Sequence, residues 1–347
     1  MMIRRGREEG ARAAGEPAGH VPVLLFPVMR VLAPQSGERF IDATFGAGGY
    51  ARALLEAGAE VLAIDRDPAA IKRAQTLAAE HPGRLHVAQA RFSQIEQIAG
   101  ERGFAPDGVV LDVGVSSMQL DEAGRGFSFM HEGPLDMRMS GEGPSAADVV
   151  NTLDARELAQ ILQRLGEEKR ARAIAKRIVA ARAEAPIETT GRLVEVIEDV
   201  LGPKRADRIH PATRTFQGLR LYVNDELGEL AEVLAGAEGL LSEGGRLAVV
   251  SFHSLEDRIV KRFFAARGGK TPAPSRHMPP DTAAPAPSFR LPRGQPVTPD
   301  EAEINVNPRA RSARLRWGVR TDAPPLPLDL EALGLPRLEV RDISAVG

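Results

Sequence analysis

Residues Phe40 to Asp65 constrain this chain more than any other stretch. An apolar run ending at Asp42 leads into a loop carrying Gly46, Gly48 and Gly49. A helical segment follows, and then a second apolar run, Val61 to Asp65, that closes on a carboxylate. Strand, glycine loop, helix and strand in that order open a doubly wound parallel sheet, which binds ligands in the crevice at the carboxyl edge of its strands. Glycines let the backbone turn sharply and approach a ligand closely. Asp65 lies about twenty residues past the loop, where an acid accepts hydrogen bonds from ribose hydroxyls.

The spacing of Gly46, Gly48 and Ala51 also fits a dinucleotide fingerprint. Asp42 argues against that ligand, because a carboxylate beside the helix N-terminus opposes a pyrophosphate. S-adenosylmethionine carries a sulfonium and an ammonium instead, and Asp42 suits both. A tight turn with no ligand is the third reading, and Asp42 together with Asp65 weighs against it.

The chain has no cysteine, which excludes disulfides, thiolate metal sites and iron–sulfur radical chemistry, and fits a reducing cytoplasm. Methylation at carbon 5 of a pyrimidine ordinarily needs a cysteine nucleophile. A cysteine-free methyltransferase therefore points to a nitrogen or oxygen acceptor. The histidines are too scattered for a local ligand motif, so no metal site is expected. With a formal net charge of -2, any nucleic-acid contact has to come from local patches. The apolar run from Val21 to Val28 is too short to span a bilayer. Residues 1–19 lack the apolar core of a signal peptide and are expected to be a disordered extension.

Asp67 and Pro68 read as the cap and first turn of a helix. Arg84 to Gln89 reads as a third strand and Gly108 to Asp112 as a buried fourth. Phe92 is placed either to cover an adenine or to pack in the core. The next clear strand is Arg246 to Phe252, introduced by a helix over Leu219 to Leu241. A crossover needs only one helix, so the long gap before Arg246 predicts an inserted helical domain over 121–216. Within it, Asp154–Leu165, Glu167–Glu184 and Thr190–Leu201 show helical spacing. Residues 20–120 and 217–320 would then form the sheet domain, and 321–347 a tail. Two segments are strongly basic: Lys204 to Thr215, a credible phosphate contact, and Asn305 to Arg320, with five arginines and no acid. Thr271 to Pro299 is proline-rich and expected to be poorly ordered.

Several segments carry a resemblance. They are Leu111–Asp121, Arg125–Phe129, Gly133–Met139, His210–Gln217, Ser251–Arg258 and Asn307–Ser312. In this order, over about His20 to Trp317, the chain resembles the bacterial ribosomal RNA small-subunit methyltransferase H family. The resemblance implies an α/β fold, a doubly wound, Rossmann-like methyltransferase sheet with a helical insert that recognises substrate. It implies an S-adenosylmethionine-dependent enzyme methylating N4 of a cytidine in the decoding region of 16S ribosomal RNA, with the RNA presented within the 30S subunit. Its cofactor contacts carry over to Gly48, Gly49, Tyr50, Asp65, Phe92, Asp112 and Gln119. Tyr50 departs from the histidine frequent in that family, so an imidazole-specific role there would be lost.

Many amino-group DNA methyltransferases carry an acid-Pro-Pro-aromatic motif after the fourth strand. Here the segment is Asp112 to Val115, with no aromatic to stack on an unstacked base. Asp136, Arg138, Ser251 and His253 are the candidates for the base pocket, with local capping or ion pairing as their alternative role. Arg214, Arg309 and Arg311 are the candidates for phosphate contacts. A methyltransferase acting on small molecules or proteins, and a non-catalytic RNA-binding factor, remain alternatives on the same fold.

Overall fold

The computed structural model describes residues 21–204, 210–269 and 285–343. The N-terminal extension, Arg205 and Arg208 of the basic segment, and the proline-rich stretch 271–284 lie outside the described residues. Seven strands make one sheet: β1 (Arg39–Asp42), β2 (Glu60–Asp65), β3 (Leu85–Gln89), β4 (Gly108–Asp112), β5 (Arg246–Ser251), β6 (Phe289–Arg290) and β7 (Arg314–Arg320). Their order is β3-β2-β1-β4-β5-β7-β6. The first five run parallel, and β7 returns antiparallel to both β5 and β6. Strand order reverses between β1 and β4, and that switch point opens the crevice at the carboxyl edge.

The strands are apolar on both faces because helices cover both. Phe40, Val61, Val110 and Val250 face one side. There α1 (Leu25–Leu32), α2 (Gly49–Glu56) and α3 (Pro68–Glu80) supply Val28, Leu54 and Ala74. Asp67 caps α3 by accepting from the Ala69 amide at 2.9 Å, with Pro68 at the first helical position.

Ile41, Leu62, Val109 and Leu111 face the opposite side. Between β3 and β4 lies α4 (Ile95–Glu101). After β4 come α5 (Ser117–Asp121), α6 (Ala146–Thr152), α7 (Ala155–Arg164), α8 (Ala171–Glu184), α9 (Thr190–Leu201), α10 (Thr213–Val223) and α11 (Glu226–Leu240). Then α12 (Ser254–Arg267) follows β5, α13 (Glu301–Val306) precedes β7, and α14 (Leu330–Leu333) comes last. Ile161, Ile174 and Val196 of α7–α9 belong to one apolar cluster with Ile64 and Leu111 of the sheet.

Three boundaries differ from the sequence reading. The helix expected over 219–241 is two helices, broken where Asp225 adopts φ 46°. Asn224 fixes that break by accepting from the Met139 amide at 2.9 Å and donating to the Met137 carbonyl at 2.8 Å. The unbroken α10 also runs across position 216, where the insert was expected to end. Further, Glu167 at φ 51° precedes α8 instead of opening it, and Glu168 accepts from the Arg170 amide at 2.8 Å. Residues 285–299, expected to be poorly ordered, supply β6 at the sheet edge.

Candidate active site

The loop after β1 is shaped by steric necessity. Gly48 has φ 81°, and a Cβ there would lie 2.5 Å from the Phe45 ring. A Cβ on Gly49 would lie 2.1 Å from Pro22. The N-terminal segment is thus folded onto the loop, and Tyr50 locks it by donating its hydroxyl to the Val23 carbonyl. That buried phenol is pushed well above its ordinary pKa, first by burial and then by Asp112. Tyr50 here is a structural tie as well as a cavity wall.

Asp65 ends β2 and holds the loop from below. Its Oδ2 accepts from the Gly46 amide and its Oδ1 from the Asp67 amide, each at 2.8 Å. Burial raises its pKa. Each oxygen keeps a second lone pair that can take a ribose hydroxyl.

Asp42 ends β1 as expected, but it does not face a ligand as the sequence reading supposed. It is fully buried, with Oδ1 accepting from Thr44 N at 3.2 Å and Oδ2 from Ala51 N at 3.1 Å. It secures the start of α2 and does not line the cavity. Burial pushes its pKa to about 7. The carboxylate that does line the cavity is Asp112, at the end of β4. Its amide donates to Thr44 Oγ1 at 2.6 Å, while its Oδ1 is buried without a hydrogen-bond partner. Burial, then the neighbouring charges of Asp42 and Glu256, push its pKa to about 8. An orphaned buried carboxylate invites a cationic donor and opposes a pyrophosphate.

The cavity encloses about 370 Å³. Gly49, Tyr50, Asp65, Phe92, Asp112 and Gln119 all line it, and Gly48 stands immediately behind as the cap of α2. Gln119 is held by Ser116 and donates to Asp67 Oδ2 at 2.7 Å. Asp67 in turn takes Arg125 at 3.1 Å.

The expected base-pocket residues separate. His253 lines the cavity at the start of α12. Asp136 and Arg138 do not line it and pair with each other at 2.6 Å. Ser251 is buried on β5 with its Oγ 3.5 Å from the Arg314 carbonyl, away from the lining. Glu256 and Phe252 line the cavity beside His253, and sequence reasoning passed over both. The signal was present, since both belong to Ser251–Arg258.

The basic C-terminal stretch divides as well. Arg316 and Arg314 reach Asp257 at 2.7 and 3.1 Å. Arg320 is buried and donates to the carbonyls of Glu238, Ser288 and Ala323. Arg316 and Arg320 are buried framework, whereas Arg314 is exposed beside its ion pair. Arg309 is exposed at the cavity rim, 2.8 Å from Asp121. Arg311 and Arg214 are exposed and make no ion pair among the described residues. Arg214 lies on α10, outside the cavity lining. No histidine, aspartate and glutamate cluster suited to a metal occurs among the described residues. None of their helices is long and apolar enough to cross a membrane.

The family model described as the MraW methylase family matches residues 17–321. A protein of Parvibaculum lavamentivorans named ribosomal RNA small subunit methyltransferase H is 57% identical, over 94% of this chain and 96% of its own length. Its namesakes in a Chelativorans species and Brucella canis are 57% and 54% identical, over 96% and 95% of this chain and 96% of each relative. Among solved structures, an rRNA methylase from Streptococcus thermophilus aligns with a TM-score of 0.38 and 10% identity, over 86% of this chain and 93% of that one. At that level of likeness nothing about the chemistry follows.

Proposed function

Because the chain belongs to the MraW methylase family, we propose that it transfers a methyl group from S-adenosylmethionine to N4 of a cytidine in the decoding region of small-subunit (16S) ribosomal RNA. The observation that carries the cofactor is Asp112, an orphaned carboxylate facing the cavity beside the loop that Asp65 holds. The residues fit the group. Asp65 offers acceptors to ribose hydroxyls, and Phe92 and Gln119 close the same cavity. Asp112 offers its unpartnered oxygen to a cation, and Gly48 and Gly49 allow close approach of the backbone. When bound, the cofactor supplies an electrophilic methyl on a positively charged sulfur.

The substrate reading rests on the relatives, which are named for small-subunit ribosomal RNA. The absence of cysteine supports a nitrogen acceptor over ring carbon. An exocyclic amine is a weak nucleophile because its lone pair is delocalised into the ring. Fixed acceptors that bind its hydrogens favour the pyramidal nitrogen of the transition state. The remaining contribution of the chain is alignment of the reacting atoms, and the target base has to be unstacked to enter the cavity. Helices α6–α9 would form the substrate-recognising insert, and exposed Arg214 and Arg311 would meet phosphates.

The test is transfer of labelled methyl from S-adenosylmethionine to 30S subunits of a strain lacking the modification. Label in the RNA supports the reading. Folded, cofactor-binding protein that leaves naked RNA and 30S subunits unlabelled refutes it.

A further inference from the structure

The cavity also holds a facing donor and acceptor that none of the cofactor contacts above uses. Glu256 is fully buried, and its Oε2 is engaged by the Phe252 amide at 2.8 Å and the His253 amide at 3.2 Å. That oxygen explains its role in capping α12. Its other oxygen, Oε1, is buried with no hydrogen-bond partner, and so is His253 Nε2. The two atoms lie 2.9 Å apart and face each other as an ion pair, bent away from good hydrogen-bond geometry. Both side chains line the cavity. A bent pair leaves each atom short of a well-aligned partner, which a ligand with a matching acceptor and donor supplies.

The roles of the two atoms follow from their other bonds. His253 Nδ1 accepts from the Glu256 amide at 3.4 Å. That bond assigns the neutral ring's proton to Nε2 and makes it a donor. Despite burial, the pKa of the Glu256 carboxyl lies below its ordinary value; the Phe252 and His253 amides that bond Oε2 favour the ionised form. Oε1 is therefore an acceptor.

The loop opposite leaves room. Gly114 follows Asp112 at φ 118°, and a Cβ there would stand 3.8 Å from Glu256 Oε1 and 3.9 Å from the Phe252 ring. The missing side chain leaves room beside Glu256 Oε1 and the Phe252 ring. The segment after β4 has no aromatic of its own, and Phe252 at the end of the neighbouring strand β5 can take that place.

We infer that Phe252, His253 and Glu256 form the nucleobase site, with Glu256 Oε1 accepting an N4 hydrogen of cytosine, His253 Nε2 donating to N3, and Phe252 packing on the ring. The assignment rests on the proposed N4-cytidine reaction and explains its base choice. Cytosine presents a donor beside an acceptor on that edge, whereas uracil presents the reverse. A uracil would bring a carbonyl oxygen against a carboxylate.

The experiment compares wild type with Glu256→Gln and Phe252→Ala on 30S subunits whose target position is cytidine or uridine. Cofactor affinity by calorimetry serves as the control for folding. Glu256→Gln keeps an acceptor for the backbone amides and turns an amide donor toward the base. It should lower turnover on cytidine about a hundredfold, with cofactor affinity unchanged, and should lose or reverse the binding preference for cytidine over uridine. A structural role in capping would not move that preference. Glu256→Gln that binds cofactor normally and keeps both turnover and preference overturns the assignment. Should that variant fail the folding control, Phe252→Ala decides: KM for the subunit should rise about tenfold through lost stacking, and an unchanged KM overturns the assignment. A wild type that methylates some other atom refutes the underlying reaction, a result distinct from wild-type N4 methylation with unaffected variants.

Discussion

The backbone amide of Gly46 donates to Asp65 Oδ2 at 2.8 Å, so the acid at the end of β2 holds the glycine loop that follows β1. One side chain thereby shapes the loop and, in the proposed function, presents acceptors to a ribose. Asp65→Ala removes both. Affinity for S-adenosylmethionine, measured by calorimetry, should fall at least about a hundredfold, as expected for losing two charge-assisted hydrogen bonds. Unchanged affinity would remove Asp65 from the ribose role.

With Asp112 as the proposed partner of the cofactor's cation, cofactor binding should depend on pH. Its pKa near 8 means the ligand-free protein holds a proton there at neutral pH. A cationic ligand needs the carboxylate, so affinity should rise between pH 6 and about 8, approaching tenfold per unit. Asp112→Asn should abolish that rise. Stability of the ligand-free protein moves the opposite way. Between about pH 4 and 8 the native state binds more protons at this site than the unfolded chain, so this group's contribution falls as pH rises. Melting curves of wild type against Asp112→Asn across that range check the sign.

The exposed arginines should act as phosphate contacts and the buried ones as framework. Arg214→Ala and Arg311→Ala should each weaken RNA binding and reduce the slope of log affinity against log salt by about one. Arg309→Ala should do less, because Asp121 already neutralises it at 2.8 Å. Equal slopes for all variants and wild type would make these residues bystanders.

Arg316→Ala should destabilise the fold. Arg316 and Asp257 are nearly buried and joined at 2.7 Å; because Arg314 still reaches Asp257 at 3.1 Å, the loss should be about 2 kcal/mol, that of hydrogen bonds to a charged group. Denaturant unfolding should show this loss. A full-stability variant with weakened RNA binding would put Arg316 in the interface instead.

How much of this was legible in the sequence depended on how local each cause is. β1 to β5 were readable from short apolar runs, and Asp67 with Pro68 marked the start of α3. β7 was not legible: Leu315, Trp317 and Val319 alternate with Arg316 and Gly318, and its arginines read equally as a basic surface. Their partner, Asp257, lies far away in sequence on α12. Asp42 and Asp112 both end apolar strands, and only register separates them. Asp42 pairs with Val110, so Asp112 stands two residues further out, roughly 6.6 Å along the strand. That offset carries Asp112 to the cavity and leaves Asp42 beneath the loop. Asp136 and Arg138 were chosen as polar residues in a motif, yet two residues apart they satisfy each other. The cavity's Phe252 and Glu256 required knowing that β5 neighbours β4.

The most direct test of the central claim is mass spectrometry of nucleosides from small-subunit ribosomal RNA. The RNA would be taken from 30S subunits of a strain lacking the modification, before and after incubation with this protein and S-adenosylmethionine. N4-methylcytidine should appear only after incubation, at a single cytidine of the decoding region. Methyl on another base, or no new N4-methylcytidine from folded and cofactor-binding protein, would contradict the account.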